Sequence, residues 1–202
     1  MAVEIDYFEY ANDTDARLAY VTNATFGSDI CSGGTATALS ELENMEASKA
    51  FDDNASTFWS TSTTEMPTWI KYDFGSGVTK TVNRYTYTAR ATVYNYWAAW
   101  ILQGSNDNTN WTDLDTQSGQ SFTGGQKKTY TLSVLNITAY RYYRFWITST
   151  QSEAGAEAAE IELMEIPLQC GSESTIKTQG SYSLKAVAAQ TDSLNKTLTK
   201  TF

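Results

Sequence analysis

The chain has 202 residues and a formal net charge of −9, with 13% aromatic and 18% charged residues and only two prolines. That is room for one domain with a buried core plus part of a second, in a chain too aromatic for a disordered segment and too acidic to seek phosphate backbones or anionic lipid. The absence of histidine excludes Ser-His-Asp and Cys-His catalysis and His-ligated zinc, two cysteines cannot build a structural zinc site, and with 23 acids a chance carboxylate pair carries no information about hydrolysis, so the chain reads as no enzyme.

In chain order, the opening Met1-Ala-Val-Glu-Ile-Asp6 has neither a basic nor an apolar segment, so no signal peptide is visible. Ala38 to Ala47 is the one helical candidate. Lys49 to Trp59 is a polar loop ending on a large aromatic. Trp69 to Phe74 then alternates, with Ile70, Tyr72 and Phe74 on one face and Trp69, Lys71 and Asp73 on the other, as in a strand with one side buried. Further strands are predicted at 81–89, 98–104, 111–116, 127–134 and 159–166, divided by turn signals such as Asp107-Asn-Thr-Asn110. Arg141 to Ile147 alternates less cleanly and reads as a strand covered on both sides. No run of eighteen apolar residues occurs, which argues against membrane insertion.

The loop Lys49-Ala-Phe-Asp-Asp-Asn-Ala-Ser-Thr-Phe-Trp59 carries oxygen donors at Asp52, Asn54, Ser56 and Thr57. All-oxygen coordination by six to eight ligands is what calcium accepts. An Asx or Ser turn that hydrogen-bonds its own backbone is the alternative reading of the same residues.

This loop, with Pro67-Thr-Trp-Ile-Lys-Tyr-Asp-Phe-Gly75, Trp100-Ile-Leu-Gln-Gly-Ser-Asn-Asp-Asn-Thr-Asn-Trp111, Tyr140-Arg-Tyr-Tyr-Arg-Phe-Trp-Ile147 and Ala158-Ala-Glu-Ile-Glu-Leu-Met164, resembles the factor V/VIII type C (discoidin) family. The closest branch is the family 32 carbohydrate-binding modules. The resemblance implies an all-β, galactose-binding-like jelly-roll β-sandwich over residues 31–170. It also implies a structural calcium ion held by the Lys49 carbonyl, the side chains of Asp52 and Asn54, Thr57 through hydroxyl and carbonyl, the Ala159 carbonyl and the Glu160 carboxylate. Asp53 departs from a glycine common at its position. Cys31 and Cys170 bracket the unit, and a disulfide between them is expected on the same ground, against the alternative of two buried thiols.

In the family, ligands bind on loops at one end of the sandwich. Carried over, this gives a glycan or glycoconjugate as partner, with Tyr94, Tyr96 and Trp97 stacking on a sugar and Arg90, Asn95, Glu65 and Gln151 hydrogen-bonding it. Trp97 divides evenly between surface and core; Trp59, Trp69, Trp100 and Trp111 are assigned to the core. Many galactose-binding relatives have histidine after the tryptophan matching Trp59, where this chain has Ser60, which puts galactose itself in doubt. Residues 1–30 and 171–202 fall outside the pattern and read as two pieces of a second, incomplete β-sandwich, like those appended to carbohydrate-active enzymes and phage structural proteins. Its last stretch, Leu198 to Phe202, still reads as a strand, which points to a homo-oligomer or fibre. The expectation is a non-catalytic adhesion module of a larger extracellular or virion-surface protein. The alternative is a decoration subunit of a fibre or filament that binds no sugar.

Overall fold

A computed structural model describes residues 26–92 and 95–166. Ten strands run in chain order: β1 (Thr35–Ala38), β2 (Trp59–Ser60), β3 (Thr68–Asp73), β4 (Val82–Thr88), β5 (Trp97–Ser105), β6 (Thr112–Gln117), β7 (Lys127–Thr131), β8 (Tyr142–Thr150), β9 (Glu157–Ala158) and β10 (Glu160–Glu165). They form a five-stranded sheet in the order β1-β3-β8-β5-β6, a three-stranded sheet in the order β10-β4-β7, and a two-stranded ribbon of β2 and β9. Every pairing is antiparallel.

The expected all-β sandwich is present. The expected helix near Ala38 to Ala47 is not: the described residues hold no α-helix, only a 3-10 turn at Ala47–Ala50. Local propensity loses there to pairing, because the Leu39 N–H donates to the Trp69 carbonyl and the Leu42 N–H to the Ser60 carbonyl, fastening the segment to β3 and β2. Among the described residues no helix is long and apolar enough to cross a membrane.

Alternation explains the main strands. On β3, Thr68, Ile70 and Tyr72 are buried and Trp69, Lys71 and Asp73 are not; on β8, Tyr143, Phe145 and Ile147 are buried and Tyr142, Arg144 and Trp146 are not. The period of two makes β8 one-sided, which corrects the expectation that it is covered on both faces. It also corrects the assignment of Trp69 and Trp111, which are half-buried rather than in the core, while Trp59 and Trp100 are fully buried.

Between the sheets lies an aromatic core. Tyr87 stacks on Trp97 at 4.2 Å between centroids, and Tyr85 meets Phe145 at 5.1 Å edge to face. Such rings bury large areas, and their polar ends need partners. The Tyr85 hydroxyl donates to Asp115 at 2.7 Å and accepts from the Trp100 indole at 2.9 Å, and the Tyr143 hydroxyl donates to the Lys80 carbonyl at 2.6 Å.

The segment before β1 also belongs to this body: the Gly27 N–H donates to the Glu165 carbonyl and the Ile30 N–H to the Leu163 carbonyl. The unit therefore starts by residue 27, before the expected boundary at 31. The rest of the predicted outer sandwich, residues 1–25 and 171–202, lies outside the described residues. So does Cys170; Cys31 is buried and has no disulfide partner among the described residues.

Gly104 on β5 sits against the Tyr140 ring, where an added Cβ would meet three ring carbons at 2.5 to 2.8 Å. Gly104→Ala is expected to destabilise the domain by about 1–3 kcal/mol through overpacking, read as a lower urea midpoint with an unchanged slope.

Candidate functional site

Loop segments meet at one end of the sandwich: the Gly125 N–H donates to the Arg90 carbonyl, the Gln151 N–H to the Tyr96 carbonyl and the Thr61 N–H to the Ala156 carbonyl. Two groups of side chains stand there.

The first is the oxygen-rich loop. Its turn is tight, with Asp53 at a φ of 56°, a left-handed conformation that aspartate tolerates better than most residues. Asp53 thus adopts the left-handed backbone that a glycine at this position would take without strain. The backbone N–H of Asn54 donates to two carboxylates, Asp52 Oδ1 at 3.2 Å and Glu160 Oε2 at 3.0 Å. Asp52 and Glu160 therefore converge across 106 residues of sequence.

Around the Thr57 hydroxyl stand both carboxylate oxygens of Asp52 at 2.8 Å, the Asn54 carbonyl at 2.8 Å and the Lys49 carbonyl at 3.5 Å. A hydroxyl has one proton, so it cannot satisfy four acceptors. With the hydroxyl oxygen and Glu160, the donor set has the number and hardness that suit calcium. Asn54 offers two oxygens: its carbonyl lies 2.8 Å from the Thr57 hydroxyl, and its side-chain oxygen accepts from the Ser56 N–H at 3.1 Å. Ala159 is buried beside Glu160, its N–H donating to the Thr88 carbonyl. No cluster of three acidic or thiol ligands occurs among the described residues; the carboxylates of Asp52 and Glu160 are joined by the neutral oxygens of Thr57, Asn54 and Lys49.

Glu160 is 5% exposed. Burial pushes its carboxyl up to about 7, with Asp52 and Asp53 adding to the rise against the lowering effect of the N–H groups of Asn54 and Ile161.

The second group surrounds Arg90. Its guanidinium donates to Glu157 Oε1 at 2.8 Å and lies 3.8 Å over the Phe58 ring. Ser60 Oγ is 3.4 Å from the same carboxylate oxygen. Glu157 is 5% exposed, and its Oε2 has no hydrogen-bond partner among the described residues. Asn95 is held from both sides: its carbonyl accepts from the Glu157 N–H at 3.1 Å, and its side-chain oxygen accepts from the Ser152 hydroxyl. Tyr96 is half-buried against Phe122, and its carbonyl accepts from the Gln151 N–H.

Arg90, Asn95, Tyr96 and Gln151 are thus brought to one rim, with Glu65 exposed on the neighbouring loop. Trp97 is not on that rim. It is 0% exposed because Tyr87 covers its face, which corrects the expectation that its ring stacks on a sugar. Tyr94 lies outside the described residues. Sequence reading missed Phe58 and Glu157; Glu157 is three positions before Glu160, on the short strand that pairs with Ser60.

The two sheets and the polar loop rim define the class: a β-sandwich with polar loops gathered at one end. The F5/8 type C domain family matches residues 35–161, and the chain belongs to that family. Among solved structures it is similar to chitosan-binding module 1 of a chitosanase/glucanase from Paenibacillus sp. IK-5, at 29% identity and a TM-score of 0.56, over 67% of this chain and 97% of that one. Module 2 of that enzyme, solved with chitotriose, is 24% identical with a TM-score of 0.56, over 66% and 97%. The family 32 module of NanJ from Clostridium perfringens, solved with galactose, is 20% identical with a TM-score of 0.58, over 70% and 100%. No curated protein sequence matches the chain.

In cation-free protein the Glu160 carboxyl has a folded value above its ordinary 4.5, so the native state holds more protons between the two values and stability falls as pH rises from about 4.5 to about 7. The urea midpoint of the native protein, relative to that of Glu160→Gln, is expected to drop across that window in EDTA.

Proposed function

We propose that this domain is a non-catalytic glycan-binding module whose rim is stiffened by calcium. The observation that carries the reading is the cluster of Arg90, Asn95, Glu157 and Ser60 beside Phe58. Arginine has five N–H donors in a fixed fork, and the Glu157 contact leaves most of them for a ligand. A carbohydrate needs convergent donors and acceptors for its hydroxyls and an apolar surface for its C–H face. The Phe58 ring, Tyr96 and Asn95 supply the rest. Ser60 in place of histidine, with an acidic floor at Glu157, makes an amino sugar or N-acetylhexosamine a better candidate than plain galactose. The similar Paenibacillus module named as chitosan-binding supports this choice.

Calcium would sit among Lys49, Asp52, Asn54, Thr57 and Glu160, where it would neutralise a buried carboxylate and lock the loop that carries Phe58 and Trp59. Its role there is structural. A module of this kind binds weakly per site and gains strength when repeated, as on an extracellular or virion-surface protein.

Titration with chitotriose, N-acetylgalactosamine and galactose in calcium, followed by calorimetry, tests the reading. Saturable binding of at least one of them, lost in Arg90→Ala, is expected; no heat with any of the three contradicts it. Calcium at about 100 times its Kd is expected to stabilise the domain by about 2.7 kcal/mol, raising Tm by roughly 5–10 °C. Asp52→Asn should abolish that rise.

A further inference from the structure

The outer face of the five-stranded sheet lies away from the loop rim and carries an unusual set of side chains. Trp69, Lys71 and Asp73 of β3 face Trp146, Arg144 and Tyr142 of β8 in register, and Gln103 of β5 lies opposite Arg144 on its other side. Trp111 joins them just before β6. Lys71 Nζ is 5.2 Å from the Trp69 ring and 5.6 Å from the Tyr142 ring; Arg144 is 4.0 Å from Trp111 and 4.9 Å from Trp146. Rings face each other across β3 and β8 at Trp69 and Trp146, and cations do so at the next outward position, Lys71 and Arg144.

Lys71 and Arg144 are directly opposed across β3 and β8, and like charges in that position destabilise a sheet. Neither has an ion-pair partner within 4.0 Å among the described residues: Asp73 is taken by both arms of Arg141 at 2.7 and 2.8 Å, and Asp113 by the Gln103 amide. Burial, and after it the facing Arg144 charge, lowers Lys71 from the ordinary lysine value against the pull of Asp73. Lys71, Arg141 and Arg144 outnumber Asp73 and Asp113, so this face is positive on a chain whose net charge is −9. Lys71 is 73 residues before Arg144 in sequence and meets it only through the β3–β8 pairing.

We infer that this face is a second ligand surface, for an anionic polysaccharide whose carboxylates meet Lys71 and Arg144 while its sugar rings lie on Trp69, Trp146 and Trp111. Charge complementarity selects the occupant: two cations whose hydrogen-bond partners are neutral, Asn108 Oδ1 at 2.7 Å for Lys71 and Gln103 Oε1 at 2.6 Å for Arg144, keep charge for an anion, and the flat indoles beside them suit pyranose faces. Nucleic acid also brings charge and flat rings, but the rest of this acidic surface repels a long phosphate backbone. From β3 to β6 the face spans three strand spacings, about 14 Å, which is room for a short oligosaccharide. The surface is independent of the rim, and a single polymer chain could engage either without the other.

The test is affinity electrophoresis and calorimetry of the full chain with polygalacturonate, with neutral dextran and a single-stranded oligonucleotide as comparators. Binding to polygalacturonate, weakening several-fold from 50 to 300 mM salt, is expected. Lys71→Ala and Arg144→Gln are each expected to weaken it by about tenfold, while Arg90→Ala leaves it intact. Because Arg144 is stacked between indoles, each variant is checked by Tm, and Lys71→Glu gives a second reading that does not depend on Arg144 packing. Polygalacturonate binding that is absent, that is lost in Arg90→Ala, or that survives Lys71→Glu overturns the inference, as does tighter binding to the oligonucleotide. Retained chitotriose binding in Lys71→Glu separates this outcome from a failure of the rim.

Discussion

The contact between Glu160 and the Asn54 N–H joins the start of the last strand to a turn more than a hundred residues earlier, and the loop end of this sandwich is organised around it. Its energetics are unusual. The carboxylate is buried and faces two further acids, an arrangement that costs stability while the group is charged and unpaired. Opposite it, a single hydroxyl proton is shared among four oxygens. A divalent cation, as proposed, would relieve both conflicts at once, neutralising the buried carboxylate and taking the oxygens that one hydroxyl proton cannot satisfy.

From that anchor the rim follows. Phe58 and Trp59 leave the loop together; Trp59 is driven into the core, and Phe58 remains at the edge under Arg90. Glu157 then links the rim to the interior. Its carboxylate holds Arg90, its N–H holds Asn95, and its carbonyl accepts from the Tyr87 hydroxyl, which also accepts from the Trp97 N–H. The stacked Tyr87–Trp97 pair is thus a floor on which the binding edge is built. Trp97 matters to the site through this packing and not by touching a ligand.

Much of this was legible in the sequence, and the failures have physical causes. The strand at Thr68–Asp73 was readable because one face is buried and the other wet, so its alternation is clean. Strands β2 and β9, two residues each, are too short to show any period. Trp69 and Trp111 were assigned to the core on side-chain type alone, but indoles are also stable on a solvated sheet face when guanidinium and ammonium groups lie over them, and Arg144 is 33 residues from Trp111 in sequence. The polar loop at residues 49–59 was readable as an oxygen cage, while the turn of the Asn54 side chain toward Ser56 was not, because carbonyl and carboxamide offer the same chemistry at the same position. Glu157 was passed over because a lone acid in an Ala-Glu-Ala context carries no local signal; its importance comes from Arg90, 67 residues earlier.

The central claim, a cation bridging the early loop and the late carboxylate, is tested most directly by the anomalous difference map of a crystal grown in calcium. The account predicts one strong peak within coordinating distance of Asp52, Thr57 and Glu160, with the Asp52 carboxylate drawn onto it. A well-ordered loop at residues 49–57 with no peak, and with Glu160 still bonded only to the Asn54 N–H, would contradict it.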